Sequence, residues 1–167
     1  MIMKRPSKTE YYLNIAMEVS KRATCIRRRW GAIIVKNDQI ISSGYVGAPR
    51  GTPNCLDLDY CPREKAGIPA GERYELCRSV HAEMNAIINA ARAGVSLLGG
   101  TMYLYGENVK DNSIADAKPC KLCRRVIINA GIKKVVAKTK DGYKEFNVDD
   151  WAKEDPTDFT EEHINGY

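Results

Sequence analysis

Residues 101 to 139 read TMYLY, GENVKDNSIADAK, PCKLCRRVIINAG and, after Ile132, KKVVAKT. Nothing else in this 167-residue chain restricts its fold as much. The two β-rich runs flank apolar residues at helical spacing, opened by Pro119 at the first helical position and closed by Gly131. Strand, helix and strand in that order call for parallel neighbours joined by a right-handed crossover, because a tight turn cannot close a parallel pair. The crossover helix must then cover the sheet. An α/β fold is expected, with residues 1–167 as a single domain.

Upstream, Ser7 and Glu10 form a capping box, and Tyr12, Ala16, Val19 and Ala23 follow at helical spacing, which predicts a helix over 8–23. GAIIVKNDQIISSGY sets two β-branched runs around Asn37-Asp38, the pattern of a hairpin. SVHAEMNAIINAARAG predicts another helix, ending at Gly94. Residues 46–78 between them are rich in Pro, Gly and Cys and have no sustained period. They read as a loop with short helical turns, and a loop of that length in a compact domain needs a reason. Residues 141–167 are polar and acidic and read as a tail, with one short helix around Val148 to Lys153.

His81, Glu83, Cys120 and Cys123 all fall in the first turns of the two predicted central helices. Residues i and i+3 share a helix face, so Cys120 and Cys123 can offer both sulfurs to one metal, with His81 as the third ligand. Three protein ligands leave a fourth tetrahedral position for water, as in a catalytic zinc, whose water ionises near pH ~7. Both helix N-termini add partial positive charge that favours thiolates and bound hydroxide. Glu83 lies two residues past His81 and points elsewhere, near the metal without ligating it. That suits a carboxyl that takes a proton from water, gives it to a ring nitrogen and later protonates departing ammonia. A structural zinc or an unrelated pair of thiols is the other reading.

HAE at 81–83 with PCKLC at 119–123 matches the H-x-E…P-C-x-x-C pattern of zinc nucleobase deaminases. The chain resembles deoxycytidylate deaminases of the bacterial and phage type over most of residues 8–140. The matching stretches are RATCIRRRWGA, ISSGYVGAPRG, IPAGERYELCRSVHAEMNAI and PCKLCRRVIINAGIKKVV. The resemblance implies a three-layer αβα sandwich with a mixed sheet of about five strands. It also implies hydrolysis of dCMP to dUMP and ammonia, and a homo-oligomer that is often hexameric. Regulation by dCTP and dTTP follows from it too, with Mg2+ as the companion of a nucleotide effector. There are two departures. Val46 stands where the family has an Asn, and fifteen residues separate Tyr103 from Pro119, an insertion beside the active site. Both keep other cytosine compounds, such as CMP, cytidine or a modified pyrimidine, open as substrates.

Cys25, Cys55, Cys61 and Cys77 are left over, three of them in or beside the long loop. Their spacing alone leaves free buried thiols as one reading. The resemblance implies a second, structural zinc here, which would hold the loop in place. Arg22, Arg27, Arg28 and Arg29 sit where the family places part of its nucleotide site. Guanidinium pairs with phosphate oxygens in bidentate fashion, so Arg22 and Arg28 are the first candidates, with a solvated basic turn as the alternative. Arg92 is a candidate for an effector or subunit contact, or simply an exposed helical arginine. Trp30 reads first as core packing, Tyr103 and Tyr105 as sheet packing, and His163 as an exposed residue.

Lys and Arg number 24 against 12 Asp and Glu before residue 141, and 2 against 9 from residue 141 onward. A basic body suits an anionic substrate such as a phosphate ester, although a solvated surface explains most of these charges equally well. No run approaches the roughly 20 apolar residues that span a bilayer, and MIMKRPSKTE has no signal-peptide core, so a cytoplasmic location without membrane contact is expected. A zinc module that binds nucleic acid without catalysis is the remote alternative. Glu83 argues against it, because a structural metal has no use for an unligated carboxylate beside its ligands.

Overall fold

The computed structural model describes residues 5–154. The order is α1 (Lys8–Ser20), β1 (Arg28–Lys36), β2 (Gln39–Tyr45), α2 (Cys55–Leu58), α3 (Pro62–Lys65), a 3-10 turn (Tyr74–Leu76) and α4 (Ala82–Arg92). Then follow β3 (Thr101–Asn108), α5 (Lys121–Asn129), β4 (Lys134–Thr139), β5 (Gly142–Asn147) and α6 (Val148–Lys153). The strands form one mixed sheet in the order β2-β1-β3-β4-β5, in which β3 and β4 run parallel and the other neighbours antiparallel. The parallel pair is the one joined through α5, as the strand–helix–strand reading requires.

Side chains alternate along β1, and the alternation separates two cores. Ala32 and Ile34 pack with Ala86, Ala90, Met102, Leu104 and Ile127 beneath α4 and α5. Ile33 and Val35 pack with Tyr12, Ala16 and Tyr105 beneath α1 on the opposite face. Three layers result, with the sheet in the middle. Two glycines bring the helices close. A Cβ on Gly31 would stand 2.2 Å from the Ala16 carbonyl oxygen in α1, and one on Gly44 would stand 2.2 Å from the Ala86 amide nitrogen in α4.

The Ser7–Glu10 capping box is present and starts α1, which stops at Ser20, three residues short of the predicted end. The β1–β2 hairpin turns at Asn37 and Asp38, both with positive φ as a type I′ turn demands. Asp38 is tied to α1 by Lys8 and by the Tyr12 hydroxyl, which donates to it at 2.7 Å. The 46–78 segment contains the expected short helical turns.

The chain beyond residue 141 departs from the expected tail. Gly142–Asn147 is an edge strand paired along its length with β4. Its residues stay largely exposed, with Phe146 packed against the core, so the strand lacks the alternation that would have marked it. The short helix around 148–153 is present as α6, with Trp151 buried under the guanidinium of Arg124. His163 and the rest of the acidic segment lie outside the described residues.

Candidate active site

His81 is the N-cap of α4 and Cys120 the N-cap of α5, so both helices aim their N-termini at one point. The entry to α4 is pinned by the paired amides and carbonyls of Gly47 and Val80, and by Asn85, whose side-chain nitrogen donates to Tyr45 O at 2.8 Å. The entry to α5 is pinned at Ala117, whose amide donates to Lys138 O of β4 at 2.9 Å. Pro119 precedes the cap instead of occupying the first helical turn.

The nitrogen Nδ1 of His81 lies 3.3 Å from Cys123 Sγ and 3.5 Å from Cys120 Sγ. All three donor atoms are within 4.8 Å of one another, and among the described residues they are the group of metal-binding side chains that closes this tightly. Zinc bonds of ~2.3 Å to sulfur and ~2.0 Å to nitrogen hold N and S ligands roughly 3.5 Å apart in a tetrahedron. The donor set fits that ion.

Glu83 is 6% exposed and is not one of the three donors. Burial pushes its carboxyl above the ordinary range, with the nearby His81 imidazole pulling the other way. Cys120 is drawn down to about 4, first by the hydrogen bond from the Cys123 thiol and then, against the opposing effect of burial, by His81. Cys123 is pushed up by the same pairing and by burial. Burial pulls the His81 imidazole down, but the bond to Cys120 and the charge of Glu83 outweigh it, and the net shift is upward.

These groups open into a cavity of about 210 Å³. Trp30, Val46 and Tyr74 supply apolar wall, and Arg27, Arg28, Arg63, Asp116 and Lys118 supply charge. Trp30 fills two readings at once. It packs against the main core and covers Gly106 so closely that a Cβ there would meet its ring at 2.2 Å, and it also faces the cavity. Val46 is 6% exposed and presents no hydrogen-bonding side chain to that wall. Tyr103 and Tyr105 belong to the sheet: the Tyr103 ring lies 4.9 Å from that of Tyr12, and Tyr105 packs in the core beneath α1.

Arg28 reaches the cavity wall, whereas Arg22 is exposed and does not. Arg29 bonds Glu107 at 2.9 Å and Asn112 at 3.3 Å. Arg92 is exposed on the last turn of α4, away from the cavity. Cys25, Cys55, Cys61 and Cys77 all line the cavity, although they do not converge as closely as the His81 group. The Cys55 thiol is pushed up to about 11, mainly by burial and then by the other three cysteines.

The residues between Tyr103 and Pro119 do not form a detached lid. β3 runs on to Asn108, and the chain then returns beside it, with Asn108 N donating to Ser113 O and Ala115 N to Gly106 O, each at 2.9 Å. This return segment carries Asp116 and Lys118 to the cavity, two residues that sequence reading missed although they immediately precede the PCKLC motif. Arg63 and Tyr74 were also missed, since nothing in their aperiodic loop marks them.

Two helix N-caps that bring a His and two Cys together over a mixed sheet, beside a buried carboxyl, define a zinc-binding region of the nucleobase deaminase class. The model of the cytidine and deoxycytidylate deaminase zinc-binding region matches residues 6–139, and the chain belongs to that family. It is 35% identical over 139 residues to the deoxycytidylate deaminase of Mycobacterium phage D29, covering 80% of this chain and 96% of that one. It is 36% identical over 135 residues to the deoxycytidylate deaminase of Schizosaccharomyces pombe, covering 81% of this chain but only 38% of the yeast protein. The structure is similar to the crystal structure of the dCMP deaminase from cyanophage S-TIM5 in complex with dCMP and dUMP. There the TM-score is 0.57 and the identity 27%, with 81% and 83% of the two chains covered.

Proposed function

We propose that the chain hydrolyses dCMP to dUMP and ammonia, with zinc held by His81, Cys120 and Cys123 and with Glu83 moving the protons. The observation that carries this reading is Glu83 itself, a carboxyl buried in the cavity wall beside three metal-binding donors without being one of them. Zinc, when bound, supplies a water ionised near pH ~7 as the nucleophile. Glu83 accepts a proton and passes it to the pyrimidine ring nitrogen, and its raised affinity for that proton suits a group that must also give it back to the leaving ammonia. Arg28 and Lys118, both on the cavity wall, supply the charge that meets the 5′-phosphate. The named activity of the phage and yeast relatives supports this choice of substrate.

Val46 favours one second reading. An apolar side chain in the wall leaves room for another cytosine compound, such as CMP, cytidine or a modified pyrimidine. A panel of cytosine nucleosides, monophosphates and triphosphates, followed by absorbance and ammonia release, separates the two. Turnover of dCMP at the highest kcat/KM supports the first reading, and a preference for any other member replaces it.

We extend the reading to a second, structural zinc held by Cys25, Cys55, Cys61 and Cys77, supported by four cysteines lining one cavity, three of them in or beside an otherwise unexplained loop. Two zinc ions per chain in the purified protein support it, and one overturns it. Chain length supports a single domain, and family resemblance supports a homo-oligomer such as a hexamer with dCTP and dTTP as effectors alongside Mg2+; a cytoplasmic site of action belongs to the same reading. No helix among the described residues is long and apolar enough to cross a membrane.

A further inference from the structure

A histidine that ligates zinc through one ring nitrogen is ordinarily oriented by a hydrogen bond from the other. His81 turns Nδ1 toward the two sulfurs, and among the described residues its Nε2 has no hydrogen-bond partner. As the N-cap of α4 it makes no side-chain capping bond either. What touches the ring instead is Tyr74, edge to face, with centroids 5.0 Å apart and planes at 85°.

Tyr74 is itself held from behind. The Arg63 guanidinium lies over the Tyr74 ring, 4.9 Å from its centroid. Arg63 is 5% exposed and forms no ion pair with a carboxylate among the described residues. Its Nη2 donates to Pro69 O at 3.0 Å and to Glu72 O, and its Nε is buried without a partner. A buried cation is costly to maintain without a carboxylate partner, so its contacts should be significant. Here they are the loop backbone and one aromatic face.

We propose that Arg63 and Tyr74 are positioning residues that set the plane of the His81 imidazole, an aromatic contact standing in for the missing outer hydrogen bond. The loop over 62–76 thereby acquires a role in the site. Its backbone grips Arg63, Arg63 fixes Tyr74, and Tyr74 holds the metal ligand. The proposal rests on the assignment of His81 as a zinc ligand.

The test measures zinc affinity of the full chain by chelator competition, with the His81→Ala chain defining the zero for this site. Losing an outer-shell partner costs roughly 10- to 100-fold in metal affinity. Tyr74→Leu should lose that much, while Tyr74→Phe, which keeps the ring, should stay within about threefold of the unaltered chain. If Tyr74→Leu binds zinc as tightly as the unaltered chain, or Tyr74→Phe falls as far as Tyr74→Leu, the proposal is overturned. Circular dichroism of the metal-free proteins shows whether Tyr74→Leu folds. If it does not, Arg63→Met and Arg63→Lys decide: weakened binding in the first with partial recovery in the second supports the clamp, and unchanged binding in Arg63→Met refutes it. No substrate enters these measurements, so a failure to turn over dCMP would sink the proposed reaction and leave this result standing.

Discussion

The amide of Cys123 donates to Sγ of Cys120 at 3.5 Å, so one sulfur both caps α5 and faces the metal position. The two duties can be separated. Serine is a good N-cap but a hard, poor zinc ligand, whereas alanine does neither. In the metal-free protein, Cys120→Ser should keep its stability and Cys120→Ala should lose about 1 kcal/mol, read from urea midpoints. Both should lose tight zinc binding. Equal urea midpoints for the two variants would deny the cap its role.

Glu83→Gln keeps the size of the side chain and removes its ability to exchange a proton. Turnover should fall by about 10²- to 10⁴-fold while zinc content is unchanged. Single-turnover kinetics with metal analysis on the same sample checks both halves of the statement, and full activity in the variant would dismiss Glu83 as the proton carrier.

Arg28 lines the cavity and Arg22 does not. Losing a charge-assisted contact to phosphate should raise KM for dCMP about tenfold or more in Arg28→Ala, with a smaller change in kcat. Arg22→Ala should behave like the unaltered chain. The reverse pattern would move the phosphate to the other end of the α1–β1 connection.

Gly44 leaves no room for a side chain, because α4 backbone occupies the space where its Cβ would be. Gly44→Ala must push α4 away from β2. Overpacking of this kind costs about 1–3 kcal/mol or more, which chemical denaturation would register. Because α4 carries His81, zinc affinity should fall as well.

Acid stability has a defined sign at Asp38. Hydrogen bonds first from Lys8 and then from the Tyr12 hydroxyl hold its carboxyl below the ordinary aspartate range of about 4. Its contribution is therefore complete above that range and disappears as pH falls through the lowered folded value. The stability difference between the unaltered chain and Asp38→Asn should shrink steadily as pH falls through and below the ordinary aspartate range. A difference that widened on acidification would reverse the assignment.

The metal-binding set was legible because helices encode it in spacing. Cys120 and Cys123 are three apart, His81 and Glu83 two apart, and each group opens a helix whose start is marked by local chemistry. The parallel β3–β4 pair was legible for a related reason, since topology leaves few ways to join such strands. β5 was not, because an edge strand whose side chains mostly meet solvent has no apolar face to give it a period. Arg63 and Tyr74 were hidden in another way. Their importance lies in contacts to His81 and to the backbone of a loop without periodicity, and no local rule marks such contacts. Arg22 and Arg28 were equivalent in sequence, and the fold separates them, with Arg28 opening β1 on the cavity wall and Arg22 exposed just past α1.

The return segment after Asn108 has a consequence for how this chain diverges from its relatives. Its landing points are hydrogen bonds to Gly106 and Lys138, both on the sheet, and the turn over 109–111 that precedes them is tied back by the Val109 amide, which donates to Arg27 O. The rim charges Asp116 and Lys118 thus hang from a frame shared with β3 and β4. Because Ala117 of the same segment also pins the entry to α5, a change in its length or charge reaches the substrate rim and the placement of Cys120 together, which ties the evolution of substrate choice to that of the chemistry itself.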